Sequence, residues 1–497
     1  MKNENQAQKK SVGSNVLIIV LILIILATSA FGIFAWARYQ TSVEGEGTAQ
    51  VAKWSFKVNG NTSQTEHVVF AITRDDGNTT VTEGTIAPGT SGKIDISVDV
   101  SGTQTDLVYT IIGSMQNKPT NLRLYFDAER TQEMIVVGEN FSKGNYMTLQ
   151  DIQQSPVRTE TIYWEWPFET GTTDEEKTRN NLIDTEDMRK EQITMQLTVE
   201  GKQINGAPAL ADLVQIGDYV NYNASSEGIQ TFTAEQCAEF PGLGITEIFS
   251  TADDFAYDAE KTAPPAQWRV INIDRKNNKV ELMSVDPTKY DVILSGKDGL
   301  LSSKSALDAV ASIYGHGYGA EKARSITQED VEQFSTYNPK TENTTGNLNM
   351  GETIVYTTGD FLLNKMDENG NLLEFETELV TATEESPVTM TQTYYYYSTK
   401  SYILNSMIYN SLYRISNNLD NTKGYWLNSR GVNLKTTDGA RYGLGVVAGG
   451  SKQGCPRLYD SNGGEGSSFY KIVPIVELKK DVRTIGQVDG VWQLKVD

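Results

Sequence analysis

The sequence predicts a mainly β protein that ends in an α+β part and begins with one membrane-directed helix. Three observations carry this. Residues 16–37 are apolar and contain no charged residue. Lys93–Val100 alternates polar and apolar without a break. Beyond residue 214, strand-like runs are interspersed with segments apolar at helical spacing. The organisation read from these is 1–14 as an n-region, 15–37 as the apolar segment, 45–205 as a β-sandwich, 206–213 as a linker, 214–482 as an α+β domain and 483–497 as a tail.

The apolar segment Val16–Ala37 follows Lys2, Lys9 and Lys10. A helix of about 20 apolar residues crosses a bilayer, and flanking positive charge keeps its N-terminal end in the cytoplasm. The remainder of the chain is then exported. A buried core helix would show a polar stripe, and this run has none. Two readings stay open. One is a retained transmembrane helix. The other is a secretory signal peptide cleaved after Ala35-Trp36-Ala37, at the Ala37–Arg38 bond. The expected location is accordingly the cell membrane with an extracellular bulk, or secretion after cleavage. The end of the chain shows no sorting motif of the cell-wall-linked kind, which weighs toward retention.

The net charge of −21 argues against nucleic acid as a partner, because phosphate contacts need clustered Lys and Arg. It serves solubility equally well. Two cysteines, Cys237 and Cys455, and two histidines exclude a disulfide-dense scaffold and an ordinary multi-ligand zinc site. Cys237 and Cys455 either form one disulfide or stay unpaired.

In the sandwich region, a period of two sets Ile94, Ile96, Val98 and Val100 on one buried face. The turn cluster Ala87–Gly92 precedes it. Lys53–Val58, His67–Thr73, Val108–Ile112 and Ile193–Val199 read as further strands. Thr170–Glu191 reads as a charged loop with a short helix. Trp164, Trp166 and Phe168 alternate with Glu165 and Glu169, either as a sugar platform or as the aromatic core face of a strand; the second reading is favoured. Glu165 and Glu169 are not a convincing glycosidase pair.

The order Val51–Phe56, Ile86–Gly92, Trp164–Glu169, then Asp184-Thr185, behind an apolar N-terminal segment, resembles exported Gram-positive proteins of the TasA and camelysin type. The resemblance spans the sandwich region and is weak at any single motif. It implies a jelly-roll-like β-sandwich at the cell surface, processed by a dedicated signal peptidase, with some members assembling into fibres through an N-terminal strand. A retained anchor puts that assembly in doubt.

In the following region, Val214–Tyr222 reads as an opening strand. Trp268–Ile273 and Lys279–Ser284 form a hairpin across Asp274–Asn278. Helices are expected over Ser303–Tyr314, with Leu307, Val310, Ala311 and Tyr314 on one face, and over Ser401–Ile415. Ser325 with Gln328 is read as a capping box for a short helix at Glu329–Phe334. Tyr425–Arg430, Tyr442–Val447, Leu458–Gly463 and Ile472–Leu478 resemble, in order, the formylglycine-generating-enzyme and C-type-lectin-like fold. That resemblance implies a compact α+β unit and no particular activity. The paired reactive cysteines of its oxidase members are missing, and Val473 stands where an Arg is usual.

Several residues invite chemistry. His316 lies among glycines, but no nucleophile motif accompanies it, so a plain loop histidine is the favoured reading. His67 alternates in a strand. Asp460, Asn462 and Glu465 have partial calcium-loop spacing without the full pattern, so no cofactor is assigned. Tyr394–Tyr397 would present two rings to each face of a strand. Trp426 is read as core. Arg430, Tyr459, Asp460, Asn462 and Glu465 are the candidate ligand surface, by their position near loops.

No nucleophile elbow, phosphate loop or plausible triad is present, so an enzyme is not expected. The expectation is a cell-surface, adhesin-like protein that displays a ligand-binding C-terminal domain on a β-sandwich stalk. Its partners would be the membrane, through residues 15–37, and an extracellular glycan or protein. The alternative is a self-associating matrix-fibre subunit released by signal peptidase.

Overall fold

The computed structural model describes residues 55–60, 65–68, 73–137, 140–171, 173–189, 193–253, 255, 266–334, 351–366, 372–393, 397–398, 424–435, 439–448, 452–480 and 482–495. All fall in the compact unit Lys53–Asp497. The segment Val16–Ala37, the Ala37–Arg38 bond, Val51–Trp54, the Ser401–Ile415 helix and Tyr394–Tyr396 lie outside the described residues. Among those described, no helix is long and apolar enough to cross a membrane.

The chain is mainly β, with antiparallel sheets dominant. Among the described residues, eight strands build its first part: β1 (Lys57–Val58), β2 (Thr65–Val68), β3 (Thr90–Asp99), β4 (Leu107–Gln116), β5 (Arg123–Tyr125), β6 (Asn140–Met147), β7 (Val157–Trp166) and β8 (Thr194–Gln203). They form two four-stranded sheets, ordered β1-β3-β7-β5 and β2-β8-β4-β6. The alternation in β3 is realised as read: Ile94, Ile96, Val98 and Val100 are buried. They join one core cluster with Tyr109, Trp164 and Leu197.

Trp164 and Trp166 are fully buried, which settles the aromatic strand as core. Their indole N–H groups donate to Thr73 Oγ1 and Asp184 Oδ1, both at 2.8 Å, as buried Trp requires. Gly92 is cross-strand to Trp164. A Cβ there would lie 2.2 Å from Thr73 O and 2.7 Å from the Trp164 indole nitrogen, so only glycine lets the ring and the neighbouring backbone approach. Phe168 departs from the expected pattern: it follows the strand and is 69% exposed.

Thr170–Glu191 holds more helix than its charge suggested. Asp174–Asp187 is helical, with a Thr173/Glu176 capping box. It is tied down by polar groups rather than an apolar stripe. Asp184 Oδ1 also accepts from Asn121 Nδ2 at 2.9 Å, and Asp187 Oδ2 accepts from Thr120 N at 2.5 Å. Hydrophobic periodicity is blind to such a helix.

The later part centres on a seven-stranded sheet. Its order is Ala320–Ser325, Pro474–Leu478, Lys279–Ser284, Trp268–Asp274, Tyr219–Val220, Val491–Leu494, Thr484–Val488. The predicted hairpin pairs Trp268 with Ser284 and Asp274 with Lys279. Glu281 faces Glu477 across the next pair; Lys279 and Lys322 bind Glu477, and Arg324 binds Glu281, so the like charges are offset. Leu300, Leu307, Val310 and Ala311 of the helix Gly296–Ser312 are buried, as is Tyr314 in the turn after it. Trp426 is buried as read.

Three local expectations are corrected. The short helix is Gln328–Glu332, capped by Thr327 and Asp330. Ser325 instead ends a strand, and its N–H donates to Asp308 Oδ1 at 2.9 Å. Residues 483–497 are no tail: two of the sheet's strands come from them, and Val491–Leu494 runs parallel to Tyr219–Val220. Residues 206–213 are no loose linker. Leu210–Leu213 is a buried turn of helix. Leu210 N donates to Val482 O at 2.9 Å and Thr484 N to Pro208 O at 3.1 Å, so both ends of this region are stitched together.

Candidate functional site: the cleft between the two β regions

The residues singled out from sequence are largely occupied with structural tasks. Tyr459 and Asp460 are each only 5% exposed. Tyr459 belongs to the main core cluster, and Asp460 pairs with Arg457 at 2.8 Å and Arg441 at 3.9 Å. Asn462 Oδ1 accepts from Gly464 N at 3.2 Å. Glu465 Oε1 accepts from Lys297 N at 3.3 Å, at the start of the helix Gly296–Ser312. Its carboxylate complements the positive end of that helix. Arg430 donates to Leu301 O at 3.3 Å, and burial lowers its pKa.

Asp460, Asn462 and Glu465 thus share one turn, and each has a protein partner. Among the described residues no group of His, Cys, Asp or Glu is arranged to hold a metal ion. Cys237 and Cys455 are not bonded to each other. Cys237 sits in the main core cluster. Cys455 packs against Gly443, where burial pushes its thiol up to about 12. His316 is exposed.

The structure offers a different site. Arg275, in the turn of the Trp268–Ser284 hairpin, reaches across to the two-sheet region. Its Nε and Nη2 donate to Ser142 Oγ of β6 at 3.1 and 2.8 Å. Its guanidinium also donates to Val214 O at 2.8 Å and to Ala211 O. Burial lowers its pKa from 12.5 to about 10, against the pull of Asp212 and Asp218. Beside it, Lys202 of β8 pairs with Asp212 at 2.7 Å. Gly144 of β6 lies so close to the Leu210–Leu213 helix that a Cβ would sit 1.9 Å from Asp212 O.

These contacts hold open a cleft with two lobes. The apolar lobe, about 480 Å³, is lined by Ile112, Phe126, Met134, Ile216 and Ile273 among others. The polar lobe, about 790 Å³, carries Arg123, Arg130, Lys143, Glu133, Asp218 and Trp492. Phe126, Ile135, Gln215 and Ile216 line both. Ile135 and Ile216 also pack against a core cluster that contains Ile271 and Leu427. Asp218 Oδ2 fixes the rim by accepting from Gln215 N at 2.8 Å and Trp492 Nε1 at 2.7 Å. Burial raises the Asp218 pKa.

A cavity of this size that joins an apolar lobe to convergent polar groups has the usual form of a ligand site. Sequence reasoning missed it because its residues come from separate stretches of the chain, among them the opening strand Val214–Tyr222 and a segment read as a tail. The available signal was the basic triplet Arg123, Arg130 and Lys143 within an acidic chain. Comparison with protein-family models, with curated proteins and with solved structures found no match to this chain.

Proposed function

We propose that this chain is an exported cell-surface binding protein whose ligand is taken in the cleft between the two β regions. The observation that carries the reading is that cleft, walled by residues from both regions and braced by Arg275. The resemblances point the same way, to a jelly-roll-like sandwich carrying a C-type-lectin-like domain, with Val16–Ala37 as the export segment. The burial of Tyr459 and Asp460 moves the proposed site away from the Leu458–Glu465 turn.

The test is a thermal-shift screen of the full chain in detergent against sugars, peptides and small organic acids, repeated with Ile216→Trp. At least one class should raise the melting temperature of the wild type and not of the cleft-filled variant. No stabilisation by any class, or equal stabilisation of both proteins, contradicts the proposal.

A second reading, a matrix-fibre subunit, draws on one feature. Among the described residues, the edge of β3 away from β7 is paired by β1 at Val98 and Asp99 and bridged by Arg74 at Gly92. N-terminal sequencing of the mature protein separates the readings: an intact Met1 rules out release as a fibre subunit.

A further inference from the structure

We infer that the cleft takes an organic monocarboxylate with an apolar body, the carboxylate at Arg123 and Arg130 and the body in the lobe beside Phe126 and Ile216. The inference rests on reading the cleft as the ligand site, and it adds the ligand's chemistry. Three observations support it.

First, Arg123 and Arg130 both line the polar lobe, and their side chains stay 32% and 24% exposed there. Second, the acids nearest these guanidinium groups stand off: Glu133 is 3.9 Å from Arg123, and Asp75 is 3.6 Å from Arg130. Those distances exceed hydrogen-bond reach. Compare Arg324, whose two terminal nitrogens bind Asp330 at 2.5 and 2.9 Å. Arg130 Nη1 donates to Ala128 O at 3.5 Å, and neither guanidinium group has a close carboxylate, so the pair fits one supplied by a ligand, which accepts charge-assisted N–H bonds. Third, the polar lobe shares Phe126, Ile135 and Ile216 with the apolar one, so a ligand anchored at the arginines has an apolar path to extend along.

The charge of the ligand is bounded as well. Glu133 and Asp218 line the same lobe, and their carboxylates repel a dianion such as a phosphate monoester more than a monoanion. A single negative charge balances two arginines and a lysine already bound to Glu160 with the least repulsion.

The test is isothermal titration of the full chain in detergent with three probes of one shape: 2-naphthoate, neutral 2-naphthylmethanol and cationic 2-naphthylmethylamine. The wild type should bind the naphthoate about tenfold more tightly than the alcohol, the order expected when a charge-assisted hydrogen bond is lost, with the amine weakest. Replacing both arginines (Arg123→Gln with Arg130→Gln) should abolish that preference and leave alcohol binding unchanged. Arg158→Gln, a basic side chain outside the cleft paired with Asp151, should keep it. Equal binding of naphthoate and alcohol by the wild type overturns the carboxylate inference and leaves the cleft as a ligand site. So does a preference that survives the double substitution. Binding of none of the probes overturns both.

Discussion

Replacing Arg275 by methionine is the sharpest perturbation of the junction. Methionine keeps much of the aliphatic stem and removes the guanidinium. Three acceptors lose their donor: Ser142 Oγ, Val214 O and Ala211 O. Hydrogen bonds to a charged group contribute roughly 1.5–3 kcal/mol each, so the gross loss is about 5–9 kcal/mol. Burial of the cation opposes this. A pKa lowered from 12.5 to about 10 corresponds to about 3 kcal/mol against the charged form. The net destabilisation is then about 2–6 kcal/mol, a range that contains the roughly 3–5 kcal/mol for removing one partner of a buried charged contact. Because the loss sits between two separate cores, it should also uncouple them. Urea unfolding followed by tryptophan fluorescence should show a lower midpoint. Hydrogen exchange should show β6 and residues 211–216 opening before either core. A change under about 0.5 kcal/mol, the usual range of surface substitutions, with unaltered exchange at those segments, would refute the reasoning.

Two further substitutions probe single groups. Burial raises the Asp184 pKa, against the bonds from Trp166 and Asn121. A carboxyl with a raised folded pKa destabilises the fold above that pKa, and the penalty disappears as pH falls through it. Asp184→Asn should therefore be at least as stable as the wild type at neutral pH, and its advantage should shrink on acidification toward the ordinary carboxylate range; a constant difference across that range contradicts the account. Glu465→Gln removes the carboxylate at the start of the helix Gly296–Ser312 and should cost about 0.3–1 kcal/mol in chemical denaturation, with cleft ligand binding unchanged. Loss of binding would return the site to the Leu458–Glu465 turn.

What was legible in the sequence follows from what enforces it. The period-two run of Lys93–Val100 and the Trp268–Ser284 hairpin were readable because burial on one face leaves a local pattern. Trp164 and Trp166 were readable as core for the same reason. The helix Asp174–Asp187 was underestimated because Asp184 and Asp187 hold it through polar bonds, which leave no apolar stripe. Residues 483–497 were misread because Val491–Leu494 owes its place to a parallel pairing with Tyr219–Val220, far away in the chain. Two of the candidate ligand residues, Tyr459 and Asp460, illustrate a related point. A charged or aromatic side chain near a turn looks available until the structure supplies Arg457 for Asp460 and the core for Tyr459. The cleft itself had no local signature, since Arg123, Ile216, Arg275 and Trp492 meet only through the tertiary fold.

The central claim is that the two β regions are held at one fixed separation, so that the cleft between them is a formed site. The most direct measurement is a pulsed dipolar distance between spin labels at Gln154→Cys and Lys480→Cys, with Cys237 and Cys455 replaced by alanine. Both labelled positions are exposed, one in each region. One narrow distance distribution is expected, broadening when Arg275→Met is added. A broad or multiple distribution without that substitution would contradict the account.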